Sequence, residues 1–135
     1  MPFNKFLWEL GQEIEDKTLP LINKHYECEF QKNINDIFDV LDFKDENKKI
    51  IVEIKGRRIP STQYDDTMIS SIKITEGNRM IELGYQVFFV FVFTDKTMEI
   101  ELKLDQEWKC MISGTNSILH YFIPIKDLTE INMDD

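Results

Sequence analysis

Residues 87–93 read Val-Phe-Phe-Val-Phe-Val-Phe, seven apolar β-formers without a polar break. A strand of that kind has no solvent side, so it belongs in the middle of a sheet covered on both faces. It is far too short for a membrane helix, which needs about 20 apolar residues. The chain must therefore supply covering layers, and its periodicities do so. Phe3, Phe6, Leu7, Leu10, Ile14 and Leu21 recur at helical spacing. Residues 3–24 thus read as a helix that Leu19-Pro20 should kink or divide. A second helix is predicted over 72–83, closed by Gly84. Strands are predicted at 25–30, 37–43, 49–55, 86–93 and 98–104. Residues 61–71 read as loose chain, and 44–48 as a charged turn. Toward the end, 108–112 and 120–125 read as further strands and 127–131 as a short helix. This order predicts an α/β (α+β) fold: one domain over residues 1–135, with a small mixed central sheet flanked by helices.

Composition narrows the function. Sixteen Lys+Arg against 25 Asp+Glu give a net charge of −9, which argues against a polybasic nucleic-acid coat or a membrane-surface peptide. Cys28, Cys110, His25 and His120 are too few and too scattered for a disulfide framework or a Cys/His zinc site. The N-terminal segment lacks the sustained apolar stretch of a signal peptide. The expectation is an intracellular protein without a membrane partner, in cytoplasm or nucleus, or in the host cell for a viral chain.

One tripeptide carries chemistry. An acidic residue followed two positions later by lysine occurs six times: at Glu15, Asp42, Glu46, Glu53, Glu101 and Glu107. In a chain that is 30% charged, chance alone produces several, so context must choose. On a strand, residues i and i+2 share a face. Glu53 and Lys55, behind Ile50-Ile51-Val52, meet that condition, while Val52 and Ile54 point to the opposite face. A hairpin turn centred on Glu46 places Asp39 directly opposite Glu53 and Asp42 opposite Ile50. Opposed carboxylates repel unless a cation lies between them. Asp39 and Glu53 therefore read as ligands for Mg²⁺ or Mn²⁺, hard cations that take oxygen donors. Lys55 stands ready to orient a water or to steady phosphoryl charge. The bland alternative is a solvated strand face. Glu101-Leu102-Lys103 lies on a comparable strand, but its hairpin sets Glu101 against Val90, with no acid across.

Phe38-Asp39-Val40 followed by Ile51-Val52-Glu53-Ile54-Lys55-Gly56-Arg57 resembles the core motif of the PD-(D/E)XK nuclease superfamily. The order helix, three strands, helix, strand resembles its restriction-endonuclease-like αβββαβ core. Phe38 stands where the motif name has proline. Among its branches the chain is most similar to small stand-alone nucleases, the Holliday-junction resolvases and their viral or phage relatives. The resemblance implies a metal-dependent nuclease acting on nucleic acid, with DNA favoured over RNA and structure-selective endonucleolytic cleavage. It implies the backbone carbonyl of Ile54 as a further metal ligand and a glutamate from the first helix. Gly11-Gln-Glu-Ile-Glu15 matches the resolvase spacing and points to Glu15, with Glu13 as competitor. It also implies a basic residue in the following helix, here Lys73, and a two-fold homodimer.

The charge distribution agrees. Seven basic against four acidic residues between Lys48 and Arg79 leave that stretch at +3 and the rest of the chain at −12. Arg57, Arg58 and Lys73 are the candidate phosphate contacts. The acidic remainder keeps a second reading open: a catalytically inactive nucleic-acid-binding or assembly module on the same fold.

Overall fold

The computed structural model describes residues 4–32, 41–113 and 118–132, with the side chain of Ser113 excepted. It is an α+β fold: two α-helices with a mixed sheet of six strands and a second sheet of three.

Helix α1 spans Lys5–Tyr26. Asn4 caps it, its side-chain oxygen accepting from the Leu7 N–H at 3.1 Å. The helix runs unbroken through Pro20, where the sequence predicts a kink or a break. Its last turns are held from outside: Ile22 is wholly buried, and Asn23 Oδ1 accepts from the Phe30 N–H at 2.7 Å. Such anchoring offsets the roughly 3 kcal/mol that an interior proline costs. The apolar stripe expected to bury α1 does so only in part. Phe6, Leu7 and Trp8 are exposed, and the buried residues are Glu15, Thr18 and Ile22. Glu27 ends the helix in the left-handed region. The strand predicted at 25–30 is therefore replaced by helix and coil, and β1 is only Gln31–Lys32.

Strands β2 (Phe43–Asp45) and β3 (Ile50–Gly56) form an antiparallel hairpin. Strand β4, Asp66–Ser70, occupies a stretch read as loose chain. Helix α2 covers Ser71–Glu82. Past its end, Gly84 (φ +101°) and Tyr85 donate their N–H groups to Ile81 and Met80, the glycine C-terminal closure expected there. Strand β5, Gln86–Val92, is the apolar run, and it lies in the interior of the large sheet. It pairs in parallel with β3 and antiparallel with β6, Thr97–Glu101. Strands β7 (Lys109–Ser113) and β8 (Ile118–Pro124) complete the small sheet with β4. After a 3₁₀ turn at Ile125–Asp127, β9 (Thr129–Ile131) pairs with β6, where a short helix was expected.

The large sheet runs β1-β2-β3-β5-β6-β9 and the small one β4-β8-β7. One core packs Ile22 of α1 against Val52, Ile54 and Val90. The other joins Ile51, Phe89 and Phe91 to Ile74 of α2 and to Ile69 and Ile123 of the small sheet. The large sheet is thus sandwiched, as its all-apolar β5 requires. Two glycines lie against side-chain tips: a Cβ on Gly56 would crowd Ile14 Cδ1, and one on Gly77 would crowd Leu102 Cδ2, so each tip would have to shift. Among the described residues, no helix is long and apolar enough to cross a membrane.

Candidate active site

Register decides which acids meet. In the β2–β3 hairpin, Phe43 pairs with Val52, Lys44 with Ile51 and Asp45 with Ile50. The turn is centred between Asn47 and Lys48, not on Glu46. The cause is Asp45, whose Oδ1 accepts from the N–H groups of Asn47 (3.0 Å) and Lys48 (3.1 Å). That side chain starts the turn one residue after itself, and Lys49 closes it at φ +58°. Continued by one residue, this register sets Asp42 opposite Glu53. The Asp42 N–H indeed donates to Glu53 Oε1 at 3.1 Å. Asp42 does not face Ile50, as a turn on Glu46 requires. Asp39 lies outside the described residues, so its place beside Glu53 is not part of the described site.

Strand β3 pairs with β5 from Ile50 to Gly56, but with β2 only from Ile50 to Val52. The site forms where β2 stops. Glu53 is 0% exposed there. Its Oε2 lies 3.0 Å from Lys73 Nζ and 3.5 Å from Lys55 Nζ. Both are ion pairs to the buried Oε2, and Lys73 is near enough to hydrogen-bond it. Burial pushes the Glu53 carboxyl up to about 7, the charge of Asp42 adds to the rise, and Lys73 and Lys55 oppose it. Glu53 and Lys55 thus share one side of the strand, while Ile54 turns into the core beneath α1.

Helix α1 brings Glu15 to the same place. Glu15 is nearly buried, whereas Glu13 is exposed. Its Oε2 accepts from Gln12 Nε2 at 3.1 Å and lies 3.4 Å from Lys32 Nζ. Burial raises its carboxyl to about 7, as do a hydrogen bond with the Asp42 side chain and the Asp42 charge; Lys32 pulls the other way. Glu15, Asp42 and Glu53 form a chain of acids, with Lys32 at one end and Lys55 and Lys73 at the other.

The three basic candidates separate. Lys73, in the first turn of α2, reaches Glu53. Arg57 works as a latch: Nε donates to Thr67 Oγ1 at 3.1 Å, Nη2 donates to the Met68 carbonyl, and the guanidinium lies 5.4 Å from the Phe91 ring centroid. It ties the end of β3 to β4, and burial lowers its pKa while the Glu53 charge opposes that. Arg58 is exposed beyond the strand. His25 is engaged with β6, its Nε2 2.8 Å from Glu99 Oε2.

The donor set fits a hard divalent cation in kind. Glu53 takes the Asp42 backbone N–H at Oε1, and burial first, then repulsion by the Asp42 charge, raises its carboxyl to about 7. A cation removes that repulsion. Among the described residues, no three His, Cys, Asp or Glu side chains already converge as a ready-made cage. This is compatible with a Mg²⁺-type site that uses one or two carboxylates and keeps its waters.

Sequence reasoning passes over Asp42, Gln12 and Lys32. Asp45 was the signal for Asp42, because an Asp two residues before Asn47 favours a side-chain-capped turn. Nothing local announces Lys32, which reaches Glu15 only through the fold.

No family model matches the chain, and neither the curated proteins nor the solved structures contain a match to it.

Proposed function

We propose that this chain is a metal-dependent nuclease of the PD-(D/E)XK kind, hydrolysing phosphodiester bonds, with DNA favoured as substrate. One observation carries the reading. A fully buried Glu53, just past the last described β2–β3 pair, meets a second carboxylate-bearing residue and two lysine ammonium groups. Buried charge of that density costs several kcal/mol per ion and is a poor route to stability. Perturbed carboxyls beside cations are a recurrent mark of catalytic sites.

Asp42 and Glu53 would hold Mg²⁺ or Mn²⁺, with the Ile54 carbonyl as the third donor that the family resemblance implies. Such an ion supplies Lewis-acid stabilisation of phosphoryl charge and a more acidic water. Lys55, 40% exposed at its side chain, is the cation that faces solvent beside Glu53. It orients the attacking water and offsets the charge that builds on the phosphoryl oxygens. Lys73, less exposed and closer to Glu53, keeps that carboxylate ionised and in place. Glu15, hydrogen-bonded to the Asp42 side chain, holds it in position.

The test is a cleavage panel of supercoiled plasmid, single-stranded DNA, a four-way junction and RNA, with Mg²⁺, Mn²⁺ or EDTA. Cleavage is expected with either metal and none with EDTA or in Lys55→Ala. Undiminished, metal-dependent cleavage by Lys55→Ala contradicts the assignment.

The net charge of −9 favours a second reading, a binding or assembly module with a silent site, since phosphate affinity depends on Lys and Arg. Metal titration separates the two. A working site gains melting temperature with Mn²⁺ by mass action, and a silent one does not.

A further inference from the structure

The small sheet has two unlike faces. Along β4, Thr67 and Ile69 are buried and Met68 is exposed. Met68 pairs with Phe122, and Ser70 with His120. Residues two apart and residues directly opposed share a face, so Met68, Ser70, His120 and Phe122 line the side turned away from Ile69 and Ile123. Two clefts border β4, lined by residues of both its faces. One, of about 300 Å³, is lined by Lys55, Arg57, Met68, Ile69, Ser70 and His120. The other, of about 350 Å³, is lined by Arg57, Ile59, Tyr64, Asp66, Thr67, Met68 and Phe122. They share Arg57 and Met68, so they adjoin there, and the first of them reaches Lys55.

We propose that these adjoining clefts hold one unpaired nucleotide of a nucleic-acid strand, its phosphate at the Lys55 end and its base between Tyr64 and Phe122. The clefts are polar in charge. Lys55 lines only the end nearest Glu53 and Arg57 lines both clefts, while the far end alone carries the Asp66 carboxylate, which repels a phosphate and tolerates a neutral base. Aromatic surface sits where the base would lie: Tyr64 is 62% exposed, and Phe122 and Met68 stand side by side on the sheet. The far cleft is at the small end of the roughly 300–1,000 Å³ usual for ligand sites, room for one base and not for a base pair. The Arg57 latch to Thr67 and Met68 fixes the distance between the two ends. A chain at −9 lacks the broad cationic surface that duplex binding uses. Base stacking supplies affinity that does not depend on charge. The inference rests on the nuclease reading for what is cleaved, and not for what is bound.

The test is fluorescence anisotropy in EDTA, with the full chain and three labelled DNAs: a 12-nucleotide single strand, a blunt duplex, and that duplex with one unpaired nucleotide. The single strand and the bulged duplex should bind about tenfold more tightly than the blunt duplex. Tyr64→Ala should remove most of that preference without changing blunt-duplex binding, and Tyr64→Phe should keep it. Phe122→Ala should act like Tyr64→Ala. Equal wild-type affinity for all three DNAs, or single-strand binding unchanged in Tyr64→Ala, overturns the proposal. Tyr64-dependent binding by a protein that cleaves nothing in Mn²⁺ supports the nucleotide site and contradicts the nuclease. Lys55-dependent cleavage of all three DNAs at one rate, unchanged in Tyr64→Ala, overturns the nucleotide site and supports the nuclease.

Discussion

Glu53-Ile54-Lys55 and Glu101-Leu102-Lys103 are the same tripeptide pattern in two settings. Each glutamate lies on a strand of the large sheet, and each middle residue is buried. Each lysine pairs with its own glutamate, at 3.5 Å in the first and 3.1 Å in the second. There the likeness ends. The Glu101 side chain is 28% exposed, faces Phe88 rather than the expected Val90, and accepts from Gln86 Nε2 at 3.3 Å. Glu53 is sealed from water and surrounded by Asp42, Lys55 and Lys73. The tripeptide alone makes a surface ion pair of little energetic weight. What converts it is the neighbourhood: a partner strand that stops early, and a helix whose first turn delivers a lysine.

The largest expected difference between the two is in activity. Asp42→Asn and Glu53→Gln should each lower metal-dependent cleavage by at least about a thousandfold, while Glu101→Gln leaves the rate within about twofold. Steady-state cleavage rates in Mn²⁺ measure both. Equal losses at Glu53 and Glu101 would erase the distinction.

Stability should separate them next. Folded Glu53 and Glu15 hold their protons to about pH 7, whereas unfolded glutamates release them near 4.5. Between those values the folded state binds more protons, so the metal-free protein loses stability as pH rises from about 4.5 to 7, then levels off. At pH 8, Glu53→Gln should stabilise the metal-free protein by roughly 1–3 kcal/mol, with little effect at pH 4.5. Glu101→Gln should stay within about 0.5 kcal/mol at both. Urea unfolding at the two pH values gives the answer, and a stability of wild type that rises from pH 5 to 7 contradicts it.

A smaller effect tests the register. Asp39→Asn should change cleavage by no more than about threefold, because Asp42 is the residue whose N–H meets Glu53. A loss at Asp39 as large as at Asp42 would return the second carboxylate to Asp39.

These residues also show what a sequence discloses. The interior place of β5 follows from its unbroken apolar run, and the shared face of Glu53 and Lys55 from strand period alone. Glu15 over Glu13 is a matter of helix phase, which motif spacing anticipates. The second carboxylate is a different kind of fact. It depends on whether a turn begins at Lys44 or after Asp45, and one side chain's two hydrogen bonds decide that. Period-2 pairing turns such a small shift into a different residue at the site. The small sheet was harder still, because β4 pairs with β8 across 50 to 58 residues, and no local pattern records a partner so remote. Arg57 illustrates the same limit: a basic residue beside the motif reads as a phosphate contact until Thr67 and Met68 are seen to hold it.

The most direct measurement compares two lysines. Wild type, Lys55→Ala and Lys103→Ala would be assayed for Mn²⁺-dependent cleavage of the best substrate from the panel, with circular dichroism confirming that all three are folded. If Glu53-Ile54-Lys55 is the reacting site, Lys55→Ala is inactive to within about 0.1% of wild type and Lys103→Ala is fully active. If Lys55→Ala and Lys103→Ala cleave alike, Lys55 has no part in the chemistry and the proposed site is wrong.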